Sequence, residues 1–79
     1  MDIRALKIVD YYIDQKEGCG IKRTLYIVWK CKTLQNWKYL ISSDLPDGMY
    51  YEVTYNGDKH EWYLDAYKKI HNEVIIDLD

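Results

Sequence analysis

The feature that most constrains the fold of this chain is a two-residue alternation of side chains that recurs in four stretches between residues 21 and 64. Side chains two positions apart share one face of a strand, so this period is typical of β-structure. The clearest hairpin signal lies in residues 49–57. The side chains of residues 49–56 alternate between two faces, and the stretch ends in Asn56-Gly57, two residues that tolerate the positive φ of a tight turn. The stretch therefore predicts a strand that enters a hairpin. Met49, Tyr51, Val53 and Tyr55 share one face of it, and Tyr50, Glu52, Thr54 and Asn56 share the other.

The other alternating stretches are residues 21–32, 37–41 and 59–64. In the first of them, simple alternation places Lys30 on the solvent face and Trp29 on the opposite, core-facing side. The links between the stretches are short and rich in turn residues, as in Pro46-Asp47-Gly48. Neighbouring strands with short links are most simply antiparallel. We therefore predict a twisted four-stranded antiparallel sheet.

Two further stretches have the three-four spacing of an amphipathic helix. Residues 2–17 fit an N-terminal helix, which Asp2 can cap and Gly18 can end. Residues 63–74 fit a short C-terminal helix, with a continued strand as its rival. The predicted fold class is α+β in a single domain over residues 1–79, and a mostly β, small barrel-like sheet is the alternative.

Length and composition exclude several classes of protein. A chain of 79 residues has room for one core, and 48% apolar residues with a net charge of −2 argue against disorder. No run approaches the ~20 apolar residues that a bilayer span requires. Asp2, Arg4 and Lys7 interrupt any apolar leader. We therefore expect a cytoplasmic protein with no membrane partner.

Catalytic and metal-binding patterns are not found in the sequence. Cys19 and Cys31 would be too far apart for a disulfide, since an extended strand separates them, so we expect free thiols in buried or half-buried positions. His60 and Glu61 are adjacent on a predicted strand and so point to opposite faces. No phosphate loop, dinucleotide fingerprint or zinc spacing appears. We predict no enzyme, no cofactor and no metal site.

The aromatic side chains provide the main functional indication. The chain has nine tyrosines and three tryptophans but no phenylalanine, so every ring carries a polar group. Such rings suit sites that are half packed and half exposed to water or a partner, although a small β-rich domain also has much half-exposed surface. Tyr and Trp are also the residues that dominate protein interfaces. The sequence thus predicts a protein-binding surface formed by Tyr50, Glu52, Tyr55, Glu61 and Tyr63.

The charge distribution supports an alternative surface. No acidic residue lies between Glu17 and Asp44, while five basic residues do, and the remainder of the chain is acidic. Lysines and flat rings along a strand can bind phosphates and stack on bases, which predicts a single-stranded nucleic-acid interface. The overall negative charge opposes this function. The residues of this alternative are Lys22, Tyr26, Lys30, Lys32 and Lys38.

Composition also indicates a type of source. Ile, Lys and Tyr, each present nine times, have A+T-rich codons, and in length and codon bias the chain resembles the short accessory proteins of phages or mobile elements. Many proteins of that kind bind and block another factor. The function we expect is a small inhibitor or adaptor that binds another protein, such as a basic nucleic-acid-handling factor. A homodimer is also plausible at this size.

Overall fold

A computed structural model describes residues 1–77 of the chain as one helix followed by four strands. The strands pair antiparallel in chain order, and β1 and β4 form the two edges of an open sheet. The predicted α+β class and four-stranded antiparallel sheet are confirmed, whereas the barrel-like alternative is wrong. The elements are α1 (Asp2–Glu17), β1 (Leu25–Thr33), β2 (Asn36–Ser43), β3 (Met49–Asn56) and β4 (Glu61–Lys68).

Helix α1 lies across one face of the sheet and buries one side of itself there. Ala5, Val9 and Ile13 are buried and lie four residues apart, so they form a single stripe along the helix. Gly18 ends the helix as predicted, with a φ of 97° and its N–H donating to the carbonyl of Asp14. Among residues 1–77, no helix is both long and apolar enough to cross a membrane. The sheet residues of this core are Tyr39, Ile41, Tyr51 and Val53.

Asp2 does not cap α1, contrary to prediction. Met1 is the N-cap residue, and the helix has no side-chain cap. The Asp2 carboxylate instead accepts hydrogen bonds from Lys30 Nζ and from the buried Tyr39 hydroxyl, both at 2.9 Å. The hydrogen bond from Lys30 is the main cause that lowers the pKa of Asp2, and the hydrogen bond from Tyr39 is the next largest. The first turn of α1 is therefore attached to β1 and β2 through one carboxylate.

Arg23 attaches the second half of α1 to the segment that leads into β1. Its side chain is only 6% exposed and contacts both Asp10 and Asp14. One guanidinium nitrogen lies 2.6 Å from Asp14 Oδ1, and another lies 3.0 Å from Asp10 Oδ1. The hydrogen bond with Asp14 is the main cause that raises the pKa of Arg23. This cation is therefore neutralised by the helix on which it packs.

A β-bulge in β1 changes which side chains face the helix. Ile27 pairs with Ile41, but the next pair is Trp29 with Leu40, so Val28 is an extra residue in β1. Because an extra residue shifts a period of two, every side chain after Val28 exchanges faces. The expectation that Trp29 faces the core is therefore wrong. Lys30, predicted to face solvent, lies on the helix side.

The predicted C-terminal helix over residues 63–74 is also wrong. Residues 63–68 belong to β4, where Tyr63 pairs with Thr54 and Tyr67 pairs with Tyr50. Continuous pairing with β3 satisfies the backbone hydrogen-bonding groups of residues 63–68. The two-residue alternation of their side chains therefore outweighs the coincidental helical spacing. Residues 69–77 have no regular secondary structure.

The two thiols are free, as expected, but their environment differs from prediction. Cys19 and Cys31 are both exposed. Cys19 lies in the turn after α1, and Cys31 lies after the bulge, on an edge strand that nothing covers within residues 1–77. The expectation of buried or half-buried thiols is therefore wrong.

Because of the Tyr39 hydroxyl, we expect the protein to lose part of its free energy of unfolding in alkali. Burial, followed by the hydrogen bond to Asp2, raises the pKa of Tyr39 from 10.0 to about 12. Between these values the unfolded chain releases a proton that the folded chain retains. The free energy of unfolding should therefore fall as pH rises, by up to about 1.4 kcal/mol per pH unit from this group. Denaturant unfolding from pH 9 to 12 measures the decline.

The Tyr39→Phe variant is the control, because the other tyrosines contribute equally in both proteins. Its stability at neutral pH should be lower by about 1 kcal/mol, as the part-buried hydrogen bond to Asp2 is lost. Its decline above pH 10 should then be shallower than that of the parent chain. Parallel curves would contradict the assignment to Tyr39.

Candidate interaction surface on the open face of the sheet

The face of the sheet that α1 does not cover is the candidate site, and we call it the open face. Residues that pair across antiparallel strands project to the same side, so the strand register defines its members. The core residues of each strand lie on the helix side. Their immediate neighbours in the strand project to the other side and belong to the open face. Its aromatic members are Tyr26, Trp29, Tyr50, Tyr63 and Tyr67, and its charged members are Lys38, Glu52, Glu61 and Asp65.

The aromatic side chains of the open face form a broken layer that extends from β1 to β4, with rings on β1, β3 and β4. Tyr26, Ser42, Tyr50 and Tyr67 form one cross-strand row, in which the small serine separates two rings. Tyr50 is partly buried, while the other four aromatic side chains are between 43% and 53% exposed. These rings have apolar surface in water and polar atoms at their tips. They are therefore suited to a partner that covers the ring faces.

The charges of the open face are mainly negative. Glu52 and Asp65 lie directly opposite each other on β3 and β4, an arrangement of like charges that destabilises a sheet. Lys38 Nζ lies 3.6 Å from Glu52 and offsets part of this repulsion. Glu61 accepts a 2.5 Å hydrogen bond from the Tyr63 hydroxyl, which raises the pKa of Tyr63. The β3–β4 half of the open face is thus acidic and tyrosine-bearing.

Four of the five residues predicted for protein binding lie together on the open face. Tyr50 and Glu52 are on β3, and Glu61 and Tyr63 are on β4. Tyr55 is on the helix side instead, where its ring centroid is 4.8 Å from that of Trp62. Its hydroxyl lies 3.2 Å from His60 Nδ1. Tyr55 therefore belongs to a different surface from the other four.

The residues of the nucleic-acid alternative do not share one face. Tyr26 and Lys38 lie on the open face, and Lys22 precedes β1. Lys30 and Lys32 lie on the helix side because of the bulge, so the expectation that they share a face with Tyr26 is wrong. Lys30 binds Asp2, and Lys32 Nζ lies 5.4 Å from the Trp37 ring centroid. The basic segment is therefore divided by the sheet.

Sequence reasoning missed three members of the open face. Simple alternation places Trp29 in the core, because the bulge has no sequence signature. The predicted helix over residues 63–74 includes Asp65 and Tyr67, although Glu61, Tyr63, Asp65 and Tyr67 continue a strict two-residue alternation. That alternation is the signal that could have placed them in a strand.

Comparison with known proteins gives one family match. The model of DUF6275, described as a family of unknown function, matches residues 3–77. The chain belongs to this family. Since the match includes all four strands, the whole open face lies within the part of the chain that DUF6275 describes. Searches of the curated proteins and of the solved structures each return no match to the chain.

The tryptophans of this DUF6275 chain provide a test of the bulge. A variant with Trp37→Phe and Trp62→Phe retains only Trp29, and a variant with Trp29→Phe and Trp62→Phe retains only Trp37. Trp29 is exposed, whereas Trp37 is partly buried and stacks on Tyr39. We expect Trp29 to emit at longer wavelength and to be quenched more strongly by acrylamide. The reverse order would place Trp29 in the core, as uninterrupted alternation requires, and would contradict the bulge.

Proposed function

We propose that this member of DUF6275 is a non-catalytic protein-binding module that acts through the open face. Its partner is a protein surface that presents Lys or Arg side chains beside apolar groups. The observation that carries the proposal is a layer of half-exposed Tyr and Trp rings beside carboxylates that lie opposite each other. Acting as an inhibitor or adaptor of a phage or mobile element, in the cytoplasm, is the biological role we propose for such a surface.

The aromatic rings support this proposal because of their energetics. Tyr and Trp bury a large area with few rotatable bonds, so little conformational entropy is lost on binding. The rings of the open face project from paired strands, and their backbone positions are therefore fixed before a partner arrives. Preorganised rings of this kind are typical of the few residues that provide most of the affinity of an interface.

The carboxylates support a basic partner in particular. Three acidic side chains accompany a single lysine on the open face, and Glu52 and Asp65 repel each other across β3 and β4. A cation of the partner that lies between these carboxylates would relieve the repulsion and gain two attractive interactions. Complementary charge also accelerates association and excludes acidic partners. A basic factor that handles nucleic acid, as expected from the sequence, has this chemistry.

Nucleic-acid binding by the open face receives less support. A single lysine lies among the rings there, and it is close to Glu52. Phosphates need several cations on one face, because neutralisation of the backbone provides most of the affinity. The other strand lysines lie on the helix side, where Lys30 is paired with Asp2.

Alanine substitution of two exposed tyrosines tests the proposal. The tagged chain is used to capture partners from a bacterial lysate, and the partner identified is then purified and titrated with each variant. Tyr63→Ala with Tyr67→Ala should weaken binding by about 30-fold or more, which corresponds to the ~2 kcal/mol typical of a hot spot. Isothermal titration calorimetry measures the two dissociation constants.

The matched control is Tyr11→Ala, which removes an exposed tyrosine from the solvent side of α1. Circular dichroism and thermal unfolding should show that all variants retain the fold. The proposal predicts that the control binds like the parent chain and that affinity falls as salt is raised. It is contradicted if the control loses binding while the double variant retains it. Steeply salt-dependent binding of single-stranded oligonucleotides, lost with Lys38→Ala, would favour the nucleic-acid alternative instead.

A further inference from the structure

The segment that follows β4, residues 69–77, has apolar side chains that nothing in the described chain covers. Ile70, Val74, Ile75 and Ile76 are between 74% and 91% exposed. Three of them are consecutive and β-branched, a composition that favours a strand. Contiguous exposed apolar groups of this kind mark an interaction site. The start of the segment is held in place, since Lys69 donates its backbone N–H to the Gly48 carbonyl at 2.8 Å.

The overall dimensions show that the chain exposes more surface than a compact monomer of its size. Its accessible surface is 6125 Å², whereas a folded monomer of 9.6 kDa exposes about 5,100 Å². Its radius of gyration is 14.7 Å, against about 11.6 Å for a compact domain of this length. The excess is about 1,000 Å² per chain. For two chains it is about 2,000 Å², which is close to the upper end of the area that a standard interface buries. A second copy of the chain is therefore an occupant of adequate area.

The free edge of β1 is the part of the sheet that best matches segment 69–77. Its first five residues, Leu25–Trp29, carry no charge, and they are followed by Lys30 and Lys32. The other edge, β4, carries Glu61 and Asp65 against the single Lys68, so most of its charge would repel Glu73. In segment 69–77, Glu73 precedes three apolar residues. When this segment runs antiparallel to β1, Glu73 lies near the lysines and the three apolar residues lie along the uncharged part of the edge.

The distance along the chain excludes pairing of residues 72–74 with the β1 edge of the same copy. A new strand outside β1 would lie four strand spacings, about 19 Å, from β4. The five residue steps from Lys69 to Val74 reach at most about 18 Å, even when fully extended at ~3.6 Å per step. A strand that includes residues 72–74 can therefore pair only with the β1 edge of another molecule.

We propose that residues 72–76 of one copy add to the free edge of β1 in a second copy as an antiparallel strand, and that two reciprocal exchanges form a closed dimer. Glu73 then lies opposite Lys30, and Val74–Ile76 lie beside the uncharged part of β1. The backbone groups of both strands gain partners, as in other cases of strand addition. The β3–β4 half of the open face stays free, so this dimer does not depend on the proposed function.

Light scattering over a range of concentrations provides the first test. The parent chain should approach twice the 9.6 kDa mass of one chain as concentration rises. Val74→Ser with Ile75→Ser and Ile76→Ser should remove this increase, while circular dichroism stays that of the folded sheet. The control is Leu34→Ser, which replaces an equally exposed apolar residue in the β1–β2 turn and should still dimerise. A parent chain that stays monomeric at every concentration would overturn the proposal.

Disulfide trapping between two differently tagged chains tests which edge is used. One chain keeps Cys31 and carries Cys19→Ser; the other carries Cys19→Ser, Cys31→Ser and Asn72→Cys. With Glu73 opposite Lys30, residue 72 lies opposite Cys31, within the distance that a disulfide requires. After unfolding and refolding together, the two chains should form a mixed-tag disulfide on oxidation.

The matched control for trapping moves the acceptor thiol to the other edge. In it, the first chain carries Cys31→Ser and Asp65→Cys, and a mixed-tag product should be much weaker than with Cys31. If the β4 acceptor forms the stronger product, or if neither acceptor forms one, the β1 edge does not receive the segment and the proposal is wrong. A chain that forms this dimer but binds no partner through the open face would contradict the proposed function and leave this inference standing.

Discussion

Coverage of a four-stranded sheet by a single sixteen-residue helix is the constraint on which the rest of this structure depends. A helix is about 10 Å wide, and the centres of the outer strands lie about 14 Å apart, so α1 covers most of one face and none of the other. The buried stripe of Ala5, Val9 and Ile13 therefore defines two different surfaces. The face that it covers is the core. The opposite face keeps half-exposed aromatic side chains, and its chemistry is what the protein can present to a partner.

The contacts that hold α1 in place also determine the charge of the open face. Arg23 is bound by Asp10 and Asp14, and Lys30 is bound by Asp2, so two of the five cations in the basic segment pair with the helix. The bulge at Val28 turns Lys30 and Lys32 toward that same side. The basic segment of the sequence thus becomes part of the helix-bearing layer, and the carboxylates of β3 and β4 are left on the open face. This distribution of charge is what supports our proposal of a basic protein partner rather than a nucleic acid.

The parts of the fold that are set by local patterns could be predicted from the sequence. The stripe of α1 and the alternation of β2 and β3 follow from burial of one side of each element, and Gly18 ends the helix for a conformational reason. The bulge depends on how β1 pairs with β2, and the partners of Asp2 lie 28 and 37 residues away, so single-sequence patterns do not reveal them. The spacing of Ala66, Ile70 and Val74 imitates a helix, although pairing with β3 decides otherwise for residues 63–68. Tyr50, Glu52, Glu61 and Tyr63 were therefore found together, while Trp29 and Tyr67 were missed.

Hydroxyl-radical footprinting of side chains, with and without the captured partner, tests most directly whether the open face is the surface that acts. The method reports each tyrosine separately, so it distinguishes two faces of one sheet that share a backbone. Our account predicts that Tyr63 and Tyr67 become protected in the complex, while Tyr11 on the solvent side of α1 is modified at an unchanged rate. Protection of Tyr11 with unchanged modification of Tyr63 and Tyr67 would contradict it.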